Sequence, residues 1–180
     1  MTHNDDDNQF RLRRATTNDA AALAAITIST FTETFGHLYP AEDLQTYLAK
    51  FSVDSCRKQL ADQNSAVWFV TTRDASSKEI VAGFVLAGRC QLPVKHLEPN
   101  AGEVKQLYLD AAYQNLKLGT RLMDTALTWL EAQQLSPLYV GVWSENFGAQ
   151  RFYARYGFSK VGDYGFPVGK TIDHEFILKR

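Results

Sequence analysis

The stretch from Leu107 to Thr120 has the residue types of an anion-binding turn. It reads Leu-Tyr-Leu-Asp-Ala-Ala-Tyr-Gln-Asn-Leu-Lys-Leu-Gly-Thr, a strand-like start followed by a turn and then by a helical pattern. A strand that feeds a helix leaves backbone N–H groups unpaired and directs the positive end of the helix dipole outward, so a phosphate can bind there. The stretch lacks the Gly-x-Gly-x-x-Gly of dinucleotide-binding proteins and the Gly-Lys pair of a P-loop, which disfavours a nucleotide-binding regulator. Without further evidence it is equally an ordinary strand-to-helix connection.

A second block runs from Asn146 to Phe158 and reads Asn-Phe-Gly-Ala-Gln-Arg-Phe-Tyr-Ala-Arg-Tyr-Gly-Phe. Its apolar residues recur at helical spacing, so we expect a helix that begins near Asn146 and ends at Gly157. Asparagine is a favoured helix N-cap, and Tyr153 falls on the apolar stripe of this helix. The residues alone therefore predict a capping role for Asn146 and a core position for Tyr153.

Together the two blocks resemble the GCN5-related N-acetyltransferases (GNAT). The acetyl-CoA motif of that family, (Gln/Arg)-x-x-Gly-x-(Gly/Ala), corresponds to residues 114–119, and the second block is similar to the family's Asn-x-x-Ala-x-x-Phe-Tyr-x-x-x-Gly-Phe. The resemblance covers nearly the whole chain after residue 9. It implies an α/β GNAT fold, a central mixed sheet of about seven strands with helices on both faces. It also implies transfer of an acetyl group from acetyl-CoA to an amine that attacks the thioester directly in a ternary complex.

The resemblance further implies which residues contact acetyl-CoA. The strand before the turn would splay from its neighbour and offer free backbone groups to the pantetheine amides. The backbone of the turn would hold the pyrophosphate, and Asn146 would bind the cofactor arm. The implied cofactor-binding residues are Leu107, Tyr108, Leu109, Gln114, Asn115, Leu116, Lys117, Leu118, Gly119, Thr120 and Asn146.

Lys117 departs from the family pattern, because it stands where the motif has its first glycine. If the backbone there requires a positive φ, a lysine costs about 1 kcal/mol. The alternative is an ordinary helical conformation with the ammonium near a CoA phosphate. The departure keeps open a non-catalytic, acetyl-CoA-binding regulatory module. Asn146 and Tyr153, which occupy their motif positions, count against that alternative.

The resemblance implies a catalytic acid and requires a base. Tyr153 would return a proton to the CoA thiolate, with a core tyrosine as the alternative. Glu103, at the start of the splayed strand, is the first choice for the base that deprotonates the amine. Glu33 is the second choice and could instead bind a cationic substrate. For both glutamates a solvated surface carboxylate is the alternative, and a backbone carbonyl or a water could replace them.

The acceptor is less defined. Residues 164–176 and 31–36 are similar to the branch of the family that acetylates spermidine and spermine. For such a polyamine, Glu33, Glu42, Asp43 and Glu103 could attract the ammonium groups. A protein N-terminus, a lysine or another small amine stays open as the acceptor.

The elements that must position these residues follow from periodicity and breaker residues. We expect strands at 10–13, 66–71, 80–86, 103–109, 138–143, 158–163 and 173–178. Helices are expected at 19–35 with Gly36 as the stop, after Pro40, at 54–61, around 122–130 and from 146. This order predicts an α/β sheet with an antiparallel portion near its start.

Length and composition limit the function classes. With 180 residues, 45% of them hydrophobic and 22% charged, the chain is expected to hold an acidic, flexible tail at 1–9 and a single domain at 10–180. A net charge of −1 disfavours a nucleic-acid-binding protein. The sequence predicts no membrane span and no metal site. Two cysteines without a pairing motif and the lack of a signal peptide favour a cytoplasmic protein, and exposed strand edges near the C-terminus favour a homodimer.

Overall fold

The computed structural model describes residues 9–180, so the predicted tail, apart from Gln9, lies outside the described residues. Seven strands form one sheet in the order β1-β2-β3-β4-β5-β7-β6. The strands are β1 (Arg11–Arg14), β2 (Ser65–Arg73), β3 (Glu79–Arg89), β4 (Gly102–Leu109), β5 (Leu138–Trp143), β6 (Ser159–Val168) and β7 (Thr171–Lys179). The α-helices are α1 (Ala20–Phe35), α2 (Ala41–Leu48), α3 (Val53–Ala61), α4 (Leu118–Ala132) and α5 (Phe147–Arg155).

Helices cover both faces of the sheet, as predicted. Alternation along β2 sends Trp68 and Val70 to a core shared with α4, and Val67 and Phe69 to a second core shared with α1 and α3. On α4 the predicted apolar stripe is buried. Its members are Leu122, Met123, Ala126, Leu127 and Leu130. The α/β fold with a mixed, seven-stranded sheet is therefore confirmed.

The sheet is antiparallel except at one place, where β4 and β5 run parallel. These two strands pair only at Gly102 with Leu138 and at Glu103 with Tyr139, and they diverge beyond Glu103. On its other side β4 stays paired with β3 as far as Leu109. The divergence therefore leaves the β5-facing backbone edge of β4 free over most of its length.

Some boundaries differ from the sequence-based expectations. Strand β3 continues to Arg89 and β6 to Val168, because antiparallel pairing with a neighbouring strand extends past the apolar runs. Helix α1 ends at Phe35, but Gly36 is right-handed with φ −56° and starts a 3-10 turn, Gly36–Leu38. Within residues 9–180, every helix is too short or too polar to cross a membrane.

Candidate active site

The divergence of β4 and β5 opens a cavity of about 340 Å³. Segments distant in sequence form its walls: β4 and β5 on two sides, the start of α5, the β6–β7 hairpin, and α1 with α2. Five residues singled out in the sequence line it together, namely Glu103, Leu107, Tyr108, Asn146 and Tyr153. Glu33, Leu109 and the turn of residues 114–120 lie outside the cavity lining.

The turn between β4 and α4 has the backbone of an anion-binding site. Asn115 and Lys117 both adopt left-handed conformations, with φ of 63° and 58°, which resolves the two alternatives for Lys117 in favour of positive φ. Among the described residues no side chain caps α4, so its first N–H groups are left for an anion. A β-carbon on Gly119 would sit 3.6 Å from the Leu109 side chain, an ordinary van der Waals distance, so this helix start lies close to β4. These donors fit a pyrophosphate.

The edge of β4 that faces the cavity fits an extended, amide-bearing arm. Leu107 and Leu109 face Val85 and Gly83 of β3 on one side. On the other side β5 has moved away, so the outward N–H and C=O groups of β4 can pair with amides of a ligand. This is the arrangement expected for the pantetheine of CoA.

Asn146 is the N-cap of α5, where its Oδ1 accepts a hydrogen bond of 3.0 Å from the backbone N–H of Ala149. The capping role predicted from the residues is therefore present. The same side chain also lines the cavity, so capping and contact with a cofactor can coexist.

Tyr153 is buried, with 7% of its surface exposed, and it packs against Phe152 and Phe158. Burial raises the pKa of its hydroxyl to about 12, with a smaller contribution from the charge of Glu175. The phenol is therefore protonated at neutral pH, as a proton donor must be. Tyr153 is therefore both a core residue and a residue of the cavity lining.

Glu103 is buried, and neighbours already engage its carboxylate. Its Oε2 accepts a hydrogen bond of 2.8 Å from the backbone N–H of Gln91 and lies 3.7 Å from Nζ of Lys105. Burial raises the pKa of Glu103, while Lys105 and Gln91 act in the opposite direction. Glu103 thus lines the cavity with a carboxylate that is already bonded to Gln91 and close to Lys105.

The other acidic residues predicted to attract an amine lie outside the cavity lining and contact neighbouring segments. Glu33 accepts a hydrogen bond of 3.2 Å from the backbone N–H of Ala111, in the turn that follows β4. The exposed Glu42 lies 3.9 Å from Lys170. Asp43 is buried and accepts hydrogen bonds from the backbone N–H groups of Lys170 and Thr171, which ties α2 to the β6–β7 turn.

Sequence reasoning missed two cavity carboxylates, Asp173 and Glu175 of β7. The hydroxyl of Tyr164 donates a hydrogen bond of 2.6 Å to Oε2 of Glu175, and the hydroxyl of Tyr39 donates one to Asp173. Burial raises the pKa of Glu175, and the charge of Asp173 raises it further. Their signal in the sequence is the alternation with Ile172 and His174, which places both acids on one face of a strand.

Comparison with known proteins agrees with this architecture. Residues 22–158 match the model of the acetyltransferase (GNAT) family. An uncharacterized N-acetyltransferase in the pepI 3′ region of Lactobacillus delbrueckii subsp. lactis is 28% identical over 163 residues, covering 90% of this chain and 91% of that protein.

Two solved structures show the same fold. The PaiA N-acetyltransferase of Thermoplasma acidophilum, crystallised with coenzyme A, superposes with a TM-score of 0.71 at 18% identity, over 95% of this chain and 98% of that one. Ard1 of Thermoplasma volcanium superposes with a TM-score of 0.65 at 16% identity, over 96% and 97%. The family match spans both sequence blocks and the diverging strands between which the cavity lies. The chain therefore belongs to the GNAT family, as an acyltransferase whose acetyl donor is acetyl-CoA.

Proposed function

We propose that this protein acetylates a primary amine bound in the cavity between β4 and β5, and that the acceptor is a polyamine. The observation that supports a polyamine most is the charge of the cavity lining. Among the described lining residues the charged side chains are Glu103, Asp173 and Glu175 against the single cation Lys105. Several carboxylates in a partly dry cavity attract an acceptor with several ammonium groups.

The aromatic side chains around these carboxylates suit the rest of such a molecule. Phe31, Phe35, Trp143 and Phe166 line the same cavity, and their faces can pack on methylene groups or on an ammonium. Tyr39 bonded to Asp173 and Tyr164 bonded to Glu175 present two separate carboxylates along β7. A linear amine with more than one charge can contact both.

The alternatives to a polyamine acceptor would give different kinetic results. A protein N-terminus or a lysine brings one reacting amine on a large chain, so its efficiency should depend little on Asp173. A non-catalytic, acetyl-CoA-binding module would bind CoA without releasing free thiol in the presence of any amine. Thiol release therefore separates an enzyme from a regulatory module.

The decisive measurement is kcat/KM for spermidine, a monoamine and a lysine-containing peptide, with wild type and Asp173→Asn. Because a hydrogen bond to a charged group contributes about 1.5–3 kcal/mol, we expect KM for spermidine to rise about 10- to 100-fold and KM for the monoamine to change little. Asp54→Asn, at an exposed carboxylate of α3, is the matched control and should leave all three values unchanged. Equal efficiency with all three acceptors would reject the polyamine and leave amine acetylation standing.

We also propose a homodimer and a cytoplasmic location. Strand β6 is one of the two outer strands of the sheet, so one of its backbone edges is available for pairing with a second copy. Cys56 and Cys90 are buried free thiols, which is typical of a reducing compartment. Light scattering over a range of concentrations tests the dimer, and a monomer mass throughout would contradict it.

A further inference from the structure

We propose that Glu175, and not Glu103, takes the proton from the acceptor amine, with Tyr164 and Gly141 as its positioning residues. The proposal rests on the proposed acetylation of an amine and names the base for that reaction. Its grounds are the place of Glu175 along the cleft, the partners of its carboxylate and the space reserved for that carboxylate.

Strand register places Glu175 at the open part of the cleft. Glu175 pairs with Trp143 of β5, whereas Glu103 pairs with Tyr139, where β4 and β5 are still joined. Four residues of strand separate these two levels by about 13 Å. When the offset between Glu103 and its partner Tyr139 is extended along both strands, Trp143 is level with Leu107 of β4. Leu107 is predicted to bind the pantetheine. The backbone of Glu175 therefore lies at the open part of the cleft and that of Glu103 at its closed end, and the carboxylate of Glu175 extends back toward Gly141 of β5.

The hydrogen-bonding and ionic partners of the two carboxylates also favour Glu175 over Glu103 as the base. Glu103 accepts a hydrogen bond from Gln91 and has the ammonium of Lys105 3.7 Å away, and both oppose the rise that burial causes in its pKa. Within residues 9–180, Tyr164 is the one hydrogen-bond donor to Glu175, and it binds only Oε2. Oε1 of Glu175 is therefore left to accept a proton from a substrate.

Glu175 is also the carboxylate whose charge reaches the tyrosines around the cavity. The titratable groups that face it are Asp173 on its own strand, Tyr164 on β6, Tyr153 on α5, Tyr108 on β4, Tyr47 on α2, and Tyr39 just before α2. Its negative charge raises the pKa of each of these five tyrosines. Burial and Asp173 raise the pKa of Glu175, and the hydrogen bond from Tyr164 lowers it. The base is thus tuned by one neighbour in each direction.

Gly141 of β5 leaves room for the hydrogen-bonded pair of Tyr164 and Glu175, because it has no side chain. A β-carbon there would lie 2.8 Å from the hydroxyl of Tyr164 and 3.2 Å from Oε2 of Glu175. Both atoms are ends of side chains, so an alanine would displace the Tyr164–Glu175 pair rather than the sheet.

The carboxylate of Glu175 takes one proton from the acceptor ammonium, and the freed lone pair attacks the thioester carbon, so that a C–N bond forms and the carbonyl π pair moves to oxygen. When that pair returns, the C–S bond breaks, and the sulfur takes the proton of the Tyr153 hydroxyl. The remaining surplus proton on nitrogen restores Tyr153, and Glu175 releases its proton to solvent. The products are the amide, free CoA and one proton.

The test is the pH profile of kcat at saturating amine. We expect Glu175→Gln to lower kcat about 10²- to 10⁴-fold and to abolish the acidic limb, since the limb reports ionisation of the base. Tyr164→Phe removes a bond to the charged form, so its acidic limb should move to higher pH. Asp173→Asn removes a like charge, so its limb should move to lower pH. In Glu103→Gln the acidic limb should remain.

The outcomes separate this inference from the proposed function. If wild type acetylates no amine, the proposed function fails and the assignment of Glu175 fails with it. If wild type is active and Glu175→Gln keeps its acidic limb with kcat within about threefold, only the assignment of Glu175 is overturned. The CoA-induced rise in melting temperature checks that each variant is folded. If Glu175→Gln does not fold, the opposite shifts expected for Tyr164→Phe and Asp173→Asn decide, and equal or absent shifts contradict the proposal.

Discussion

Lys117 carries an unfavourable backbone conformation in the turn that is expected to hold a pyrophosphate. Its φ of 58° is left-handed, which glycine adopts freely and lysine does not. We expect Lys117→Gly to raise the free energy of unfolding by about 0.5–1 kcal/mol. The affinity for CoA should change little, because the lost ammonium and the relieved backbone act in opposite directions.

Denaturant unfolding and CoA titration measure both effects. Asn115→Gly is the matched control, because asparagine tolerates the left-handed region better than lysine, so this variant should gain less stability. A Lys117→Gly protein less stable than wild type would show that the ammonium contributes more than the backbone costs.

Tyr153 is the residue predicted to donate a proton to the CoA thiolate, and its substitution tests that role. Tyr153→Phe keeps the ring and its packing on Phe152 and Phe158 but removes the proton donor. We expect turnover to fall about 10²- to 10⁴-fold with little change in stability. Since the pKa of Tyr153 is about 12, ionisation of this phenol should not limit the rate below about pH 11. Near-normal turnover in the variant would leave Tyr153 as a core residue only.

At the scale of elements, the start of α5 combines a structural and a ligand-binding role in Asn146. Serine caps helices about as well as asparagine, whereas alanine does not. We therefore expect Asn146→Ala to lose about 1 kcal/mol of stability and Asn146→Ser to lose almost none. If the amide also contacts the cofactor arm, both variants should bind CoA more weakly. Calorimetry with CoA, together with thermal unfolding, measures the two effects. If Asn146→Ser binds CoA with wild-type affinity, Asn146 acts only as the helix N-cap.

At the scale of the whole molecule, one ionic cluster joins the first strand to two other parts of the chain. The guanidinium of Arg13 on β1 donates hydrogen bonds to Asp19, before α1, and to Glu79, at the start of β3. Arg13 holds the pKa of both carboxyls below their usual range. A lowered pKa adds stability above the unfolded value, near pH 4.5 for a glutamate, that is lost as the pH falls toward the folded value.

The matching variant is Glu79→Gln. Because these side chains are partly exposed, we expect it to lose at most about 1 kcal/mol at pH 7, or about 2–4 °C in Tm. The difference from wild type should shrink as the pH falls below about 4.5 and should be reduced by salt. Thermal unfolding between pH 3 and 8 measures it. A constant difference over that range would exclude the ion pair as its cause.

The local patterns of this chain were enough for most of its elements and for its family. Helical spacing in α4, strand alternation in β2 and the spacing of the two motif blocks depend on neighbouring residues, so they can be read without knowing what packs against them. The same local information left two backbone conformations open for Lys117, because the conformation of a turn depends on the two elements that it joins.

The acceptor side of the site depends on contacts between residues far apart in the chain. Asp43, predicted to attract an amine, accepts a hydrogen bond from the backbone N–H of Thr171, 128 residues away, and lies outside the cavity lining. Glu175 enters the cavity because β7 inserts between β5 and β6, and that strand order is not encoded in the pattern of β7. Alternation shows that Asp173 and Glu175 share a face, but the burial that raises the pKa of Glu175 comes from packing of separate segments around it.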